Sequence, residues 1–357
     1  MLRYKEVKLM LKEMIAGMSN GERLPARTVL IKRLDSSRAT VDKAIRDLEL
    51  EGVLESRFGS GTFVARRLEG VVSNAENWCL IVPDISEALY AKLASGVENA
   101  ARERNANVIL CNSESSAEKQ AEYISRLILA GIDGFIIVPV VTQSVTESII
   151  LYRSLQQSRI PFVFCNREVE GVSAPIIKSN DFYGGYIATL HLIDHGYRGI
   201  AYLARQRYRT SIDRCQGYIA AQQHRGLEIE RERILMIEDG SVEDCGRQLE
   251  ALLRSQTPVD AVFCFNDIIA FEAMRTIKAL GLKVSEDIGL IGYDSLDACA
   301  RTEPPLTSVA YKAGDIGRMA ARVLGKCIDG RCKGGFAYWL MEPEITVKAS
   351  CLGKAAR

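Results

Sequence analysis

Polar residues of a few kinds stand at the ends of apolar runs along most of this 357-residue chain. Asp84 and Ser86 follow Cys79 to Val82, and Asn166 and Arg167 follow Phe162 to Phe164. Asn266 and Asp267 follow Ala261 to Phe265, Asp294 follows Tyr293, and Arg214 heads the segment RCQGY. Carboxylates and amides of this kind accept from and donate to several hydroxyls, and arginine adds a rigid fork of donors. An Asp or Asn after a strand is also a common helix cap, which accounts for any one of them but not for the collection. No nucleophile–base spacing, metal set or phosphate loop accompanies them, so the expected chemistry is binding rather than turnover.

These residues need a scaffold that brings strand ends together. From Trp78 onward, short apolar runs of four or five residues alternate with helix-period segments. Runs such as Cys79–Val82, Phe135–Val138, Gly199–Leu203, Ala261–Phe265 and Ile288–Ile291 are apolar on both faces. That pattern predicts parallel strands covered on both sides by helices. Two successive α/β blocks predict two lobes, with ligand held outside the carboxyl ends of the strands in a cleft that closes by hinge motion.

The first sixty-odd residues follow another plan. A short helix from Leu24-Pro25 to about Leu34, a turn at Asp35-Ser36 and a second helix capped by Ser37 are expected. Val41, Ala44, Ile45 and Leu48 lie at i, i+3, i+4 and i+7, a buried face, while Arg38, Lys43 and Arg46 lie opposite with one acid, Asp42. Two short helices, the second basic at its start, suit a major groove. Val53–Arg57 and Thr62–Val64, joined by Phe58-Gly59-Ser60-Gly61, predict a small β-wing. The same GSGTFV lacks the third glycine of a dinucleotide loop and lies between strands, which argues against a cofactor there.

Composition agrees with a soluble two-part chain: 47% hydrophobic, 25% charged, net charge +1. Residues 1–67 hold 14 Lys and Arg against 9 Asp and Glu, leaving 32 against 36 for the rest. A basic module on a mildly acidic body fits DNA binding at one end. None of the ten cysteines forms a CxxC pair, and their scatter reads as small hydrophobes in a reducing compartment. His191 and His195 have i, i+4 spacing, but no Cys ligand or wider ligand set accompanies them, so neither a metal nor a cofactor is expected. No leader or long apolar run is seen, and a cytoplasmic chain without membrane attachment is expected.

Residues 4–66, with LP before one helix, SRATV opening the next and LELEGVLESRFGSGTFV through the wing, resemble the winged helix-turn-helix of GntR-type bacterial regulators. That family often has arginine where this chain has Thr28 and Asp42. The phrases CLIVPDISEALY, GIDGFIIVP, IPFVFCNR, SNDFYGG, DHGYRGIAYL, RCQGY, AVFCFNDIIAFEAMRTIKALGL, EDIGLIGYDS, PPLTSV and MEPEITVKAS run in the order of the LacI-type effector domain, which shares the fold of periplasmic sugar-binding proteins. The combination resembles the arabinose-repressor subgroup of GntR regulators.

The resemblance implies a winged helix-turn-helix at 1–67, a linker at 68–77 and a two-lobed domain at 78–350. Lobe one would comprise about 78–165 and 309–330, and lobe two about 166–308 and 336–350. Crossovers fall near Leu306 to Val309 and around Phe336 to Leu340. Candidate DNA contacts are Arg27, Ser37, Arg38, Thr40, Lys43, Arg46, Arg57, Gly59, Ser60 and Gly61. Candidate effector contacts are Asp84, Glu87, Leu89, Tyr90, Asn166, Arg167, Arg214, Asn266, Asp267 and Asp294, with Glu87 and Leu89 departing from the family's usual Asn and Phe. The implied function is a ligand-responsive regulator, a homodimer on double-stranded operator DNA with a small sugar as effector. A purine or other metabolite in the same cleft is the alternative, and an exported solute receptor is disfavoured by the DNA module.

Overall fold

The computed structural model describes residues 2–57, 60–65, 75–140, 145–205, 209–238, 240–332 and 337–353. Its two compact units are Met1–Ala75 and Glu76–Arg357.

In the first unit, α1 (Leu2–Ala16), α2 (Arg27–Arg33) and α3 (Arg38–Leu50) precede a hairpin of β1 (Leu54–Arg57) and β2 (Gly61–Val64). Val7, Leu11 and Ile15 of α1 pack on Val41, Ala44, Ile45 and Leu48 of α3, so the apolar face read from the sequence is the core. Ser37 caps α3, its hydroxyl accepting from the Thr40 N–H at 3.3 Å. The preceding helix begins at Arg27 rather than Leu24. The Leu24 N–H donates to the Thr62 carbonyl at 2.8 Å and Gly21 to Val64 at 2.8 Å, so this segment lies along the wing as a third strip of extended backbone. A residue before proline favours that conformation over a helical one.

The second unit starts with β3 (Glu76–Val82), α4 (Ala88–Glu103), β4 (Ala106–Asn112), α5 (Ala117–Ala130), β5 (Gly134–Ile137), α6 (Val145–Ser158), β6 (Phe162–Cys165) and β7 (Ile176–Ser179). Then come α7 (Asp181–Asp194), β8 (Ile200–Arg205), α8 (Arg209–His224), β9 (Ile234–Ile237), α9 (Val242–Leu253), β10 (Ala261–Cys264), α10 (Asp267–Ala279) and β11 (Gly289–Asp294). It ends with β12 (Thr307–Ala310), α11 (Ala313–Ile328), β13 (Tyr338–Met341) and β14 (Glu344–Thr346). Two six-stranded sheets result, ordered β13-β7-β6-β5-β3-β4 and β14-β12-β11-β10-β8-β9, parallel throughout except for β14 against β12. The expected two-lobed α/β architecture is the one observed. Strand alternation divides the first lobe's core: Trp78, Leu80 and Val82 face one helix layer, and Cys79 and Ile81 the other.

The lobe boundaries differ from the expected ones. Residues 176–179 and 338–341 both belong to the first sheet, and all of β12 belongs to the second. Ile176 and Ile177 are buried and their strand is paired on both edges, by β6 and β13, which fixes it in lobe one. The chain therefore crosses between lobes at 179–181, 310–313 and 341–344, and the Asn180 N–H donates to the Met341 carbonyl at 2.9 Å, tying the first crossing to the third. The cysteines also depart from the sequence reading: eight are free and buried, but Cys327 in the last turn of α11 forms a disulfide with Cys332 beyond it. They stand five positions apart across the helix end, close enough for the turn to bring them together.

Each lobe contains one helix pair in backbone contact. A Cβ on Gly217 of α8 would lie 2.0 Å from the Phe182 carbonyl oxygen, and one on Gly185 of α7 2.1 Å from that of Arg214. In lobe one, a Cβ on Gly96 of α4 would meet the Gly314 oxygen of α11 at 2.0 Å. The Gly217→Ala protein is expected to lose ~1–3 kcal/mol by overpacking against backbone that has no side chain to move aside. Urea unfolding measures this, and an unchanged midpoint would mean that α7 and α8 separate freely.

Candidate functional site

The carboxyl ends of the two sheets enclose a cavity of about 510 Å³. Lobe one contributes Glu87, Leu89 and Tyr90 from the start of α4, Asn166 and Arg167 after β6, and Tyr311 from a crossing. Lobe two contributes Arg205, Thr210, Arg214, Val242, Phe265, Asn266, Ile269, Asp294 and Leu296. Such a volume and such a mixture of aromatic and polar walls suit a small molecule.

Of the effector candidates taken from the sequence, all line this cavity except Asp84 and Asp267. Asp84 accepts from the N–H and hydroxyl of Ser86 at 2.9 and 2.7 Å, which shapes the turn into α4 and holds its carboxyl below the ordinary range. Asp267 is fully buried behind the wall. It accepts from the Leu296 N–H at 2.8 Å and the Ser308 hydroxyl at 2.6 Å, so it fixes the loop that carries Asp294. Asn266 caps α10 through the Ile269 N–H at 3.0 Å while facing the cavity, so its capping and cleft readings both hold. Asn166 at φ 64° and Asp294 at φ 103° hold left-handed backbone at the rim, where strain concentrates at sites of function.

Arg214 is more constrained than its place in RCQGY suggested. It lies in the second turn of α8, which starts five residues earlier at Arg209, where an Arg209–Asp213 pair at 3.1 Å extends the helix. Its Nε and Nη2 donate to one oxygen of Asp181 at 2.9 and 2.8 Å, and Nη1 donates to the Phe265 carbonyl at 2.5 Å. Its guanidinium carbon sits 3.4 Å from the centre of the Tyr293 ring. Arg214 and Asp181 are only 4% and 2% exposed, and the second Asp181 oxygen has no partner among the described residues. Removing one side of a buried ion pair leaves the other charge uncompensated. Arg214→Ala is therefore expected to destabilise the protein by ~3–5 kcal/mol in urea unfolding, and Arg214→Ala with Asp181→Ala should recover part of that loss. Equal midpoints for the wild type and the single variant would refute the pairing.

Sequence reasoning missed Asp181, Arg205, Thr210 and Tyr311. Arg205 carried the same signal as the others, a polar residue directly after an apolar strand. Asp181 stands within SNDFYGG, in the first turn of α7 after the Asn180 cap, where an acid is ordinary helix-start chemistry and carries no separate signal.

Burial pushes the Asp294 carboxyl up to about 8; Asp267, Asp181 and Glu87 reinforce that and Arg214 opposes it. Burial also raises Glu87, with Arg167 opposing and Asp84 reinforcing. A carboxyl raised in the folded state binds its proton more tightly there than in the unfolded chain. Its stabilising contribution is complete below the ordinary carboxylate range and is lost as pH rises through about 8. The Tm of wild type should therefore fall relative to that of Asp294→Asn between about pH 5 and 9. Parallel Tm profiles would contradict this protonation state.

In the first unit, Arg27 donates through Nε to Asp42 at 3.1 Å and through Nη1 to the Thr62 hydroxyl at 3.0 Å. Arg38 also reaches Asp42, at 3.6 Å, but its side chain is 82% exposed. The intruding acid is thus the counter-ion of two arginines. Lys43 lies 4.8 Å over the Tyr4 ring, Arg57 4.9 Å over Phe63, and Arg46 donates to the Asp42 carbonyl at 3.4 Å. Thr40 shares a hydrogen bond with the Ser37 hydroxyl at 2.8 Å, and Ser60 is exposed at the wing turn. Gly61 holds φ +113° with the Arg23 Nε 2.7 Å from where a Cβ would stand, which places Arg23, a residue the sequence reading passed over, at the wing. Gly59 and most of the expected linker at 68–77 lie outside the described residues, while Glu76 and Asn77 already belong to β3. His195 turns its Nδ1 to the His191 carbonyl at 2.7 Å, and no group of three or more metal-ligating side chains occurs among the described residues. No described helix is long and apolar enough to cross a membrane.

Comparison with known proteins agrees with this geometry. The sequence model for bacterial regulatory proteins of the gntR family matches residues 3–64. The arabinose metabolism transcriptional repressor of Geobacillus stearothermophilus is 28% identical over 336 residues, 93% of this chain and 92% of that protein. The transcriptional repressor PurR of Pasteurella multocida is 29% identical over 307 residues, covering 86% and 88%. A LacI family transcriptional regulator from Enterococcus faecium, solved with bound ribose, superposes with a TM-score of 0.63 at 26% identity, covering 77% of this chain and 98% of that one. Residues 75–335 match the model for periplasmic binding proteins and the sugar-binding domain of the LacI family. The chain belongs to that family, with a GntR-type winged helix-turn-helix as its amino-terminal domain.

Proposed function

We propose that this protein is a cytoplasmic, ligand-responsive transcriptional repressor of sugar-utilisation genes, binding operator DNA as a homodimer. The observation that carries this reading is a cavity with mixed polar and aromatic walls between two lobes, on the same chain as a winged helix-turn-helix. Ligand in the cavity favours one lobe arrangement over another and shifts the DNA-competent population by its differential affinity. Two-fold symmetry matched to half-sites is the physical reason for a dimer. The names of the relatives, repressors of arabinose metabolism and of ribose operons among them, support the sugar reading. The rings of Tyr90, Phe265 and Tyr311 on the cavity walls also suit a flat nucleobase, which keeps a purine effector as the second reading.

Fluorescence anisotropy with duplexes from the promoter of the protein's own gene cluster tests the proposal, with and without sugars and nucleobases chosen by a thermal-shift screen. Specific binding that one such compound weakens is the expected result. Arg38, exposed at the start of α3, is expected to cost ~1–3 kcal/mol of operator binding when changed to Ala. Equal, weak, sequence-independent binding by wild type and Arg38→Ala would refute the DNA assignment. A specific complex indifferent to every compound that shifts the melt would refute the effector assignment.

A further inference from the structure

The cavity's cations are unequally provided for. Arg214 has Asp181 as its carboxylate partner at 2.8 Å. Arg167 donates to the Pro139 carbonyl and the Tyr90 hydroxyl at 3.1 and 3.3 Å and faces Glu87. Arg205, the last residue of β8, lines the cavity with its Nε buried, and among the described residues that Nε has no hydrogen-bond partner and the side chain forms no ion pair. Tyr311, 6% exposed and also on the cavity wall, has a hydroxyl without a partner among the described residues. Of the cavity's two acids, Asp294 is pushed up to about 8 by burial, so it does not offset the arginines fully at neutral pH, and burial raises Glu87 as well.

Sheet order places these groups along one edge. β11, β10 and β8 are consecutive, so Asp294, Asn266 and Arg205 follow one another at successive strand ends. A strand spacing of ~4.8 Å puts Arg205 about 10 Å from Asp294 along that edge. A buried guanidinium nitrogen left without an acceptor is costly, and a hydroxyl supplies the hydrogen bond without the countercharge. An anionic oxygen supplies both.

Resting on the effector reading above, we propose that the ligand is an acidic sugar: a polyol whose carboxylate or phosphate seats against Arg205 while its hydroxyls reach Asn266, Asp294 and Tyr311. The test uses the full chain and matched probes: arabinose with arabinonate, glucose with gluconate and with glucose 6-phosphate, galactose with galacturonate. Calorimetric titration is expected to show at least one acid binding tenfold or more tightly than its neutral partner. The comparison of carboxylates with the phosphate identifies which anion is preferred. Arg205→Met should lower that affinity at least tenfold without changing the melting temperature of the free protein by a comparable margin, and Arg205→Lys should retain part of it. Neutral sugars binding as tightly as their acids, no acid binding at all, or an Arg205→Met protein that keeps the preference would each overturn the proposal. The two readings fail separately. Neutral sugars that bind and release DNA would leave the regulator standing and remove the acidic ligand. An acid that binds through Arg205 without altering DNA binding would do the reverse.

Discussion

The buried ion pair between Arg214 and Asp181 organises the ligand-facing wall of lobe two. Asp181 is the first residue of α7 and Arg214 belongs to α8, so the pair joins two helices already in backbone contact at Gly185 and Gly217. The same guanidinium donates to the Phe265 carbonyl just after β10 and lies on the ring of Tyr293 in β11. One side chain thus ties two helices to two strands. A buried ion pair is weak evidence for stability in itself, since desolvation offsets the attraction. Here its effect is positional, because few alternative rotamers satisfy all four contacts at once.

Around that point the wall is built by division of labour. Asp267 stays behind the surface and fixes the loop through Leu296 and Ser308, so that Asp294 can stand at the rim in a left-handed conformation. Asn266 serves two purposes at once, capping α10 and facing the cavity. Asp84 and Ser86 set the turn from which α4 presents Glu87, Leu89 and Tyr90. Asp84 and Asp267 thus hold cavity-facing residues in place without lining the cavity themselves, as preorganised sites require.

Much of this was legible in the sequence because the fold repeats one rule. Apolar strands flanked by helix-period segments leave their following residues at one edge, and Asn166, Arg167, Asn266 and Asp294 fell there without further information. What stayed hidden depended on pairing between distant segments. Ile176–Ser179 is too short to read as a strand until β13, about 160 residues later, supplies its second edge. Asp267 and Asp84 looked like ligand contacts because position was visible and direction was not. In the amino-terminal unit, Asp42 looked like an intruder on a basic face until Arg27, fifteen residues away, was found to need it. Leu24 looked helical until its N–H was found on the wing.

The three crossings between the lobes have a mechanical consequence. Two bodies joined by one flexible segment can tumble in any direction, whereas bodies joined by three neighbouring segments swing about a common axis, as a door does on its hinges. The Asn180–Met341 hydrogen bond binds two of these segments side by side, which narrows the allowed swing further. Tyr311 belongs to the remaining one, at 310–313, and also faces the cavity, so the pivot and the ligand wall share a residue. Any molecule that engages its hydroxyl touches the axle itself, and a small displacement at the pivot sweeps the far edges of both lobes through a larger arc.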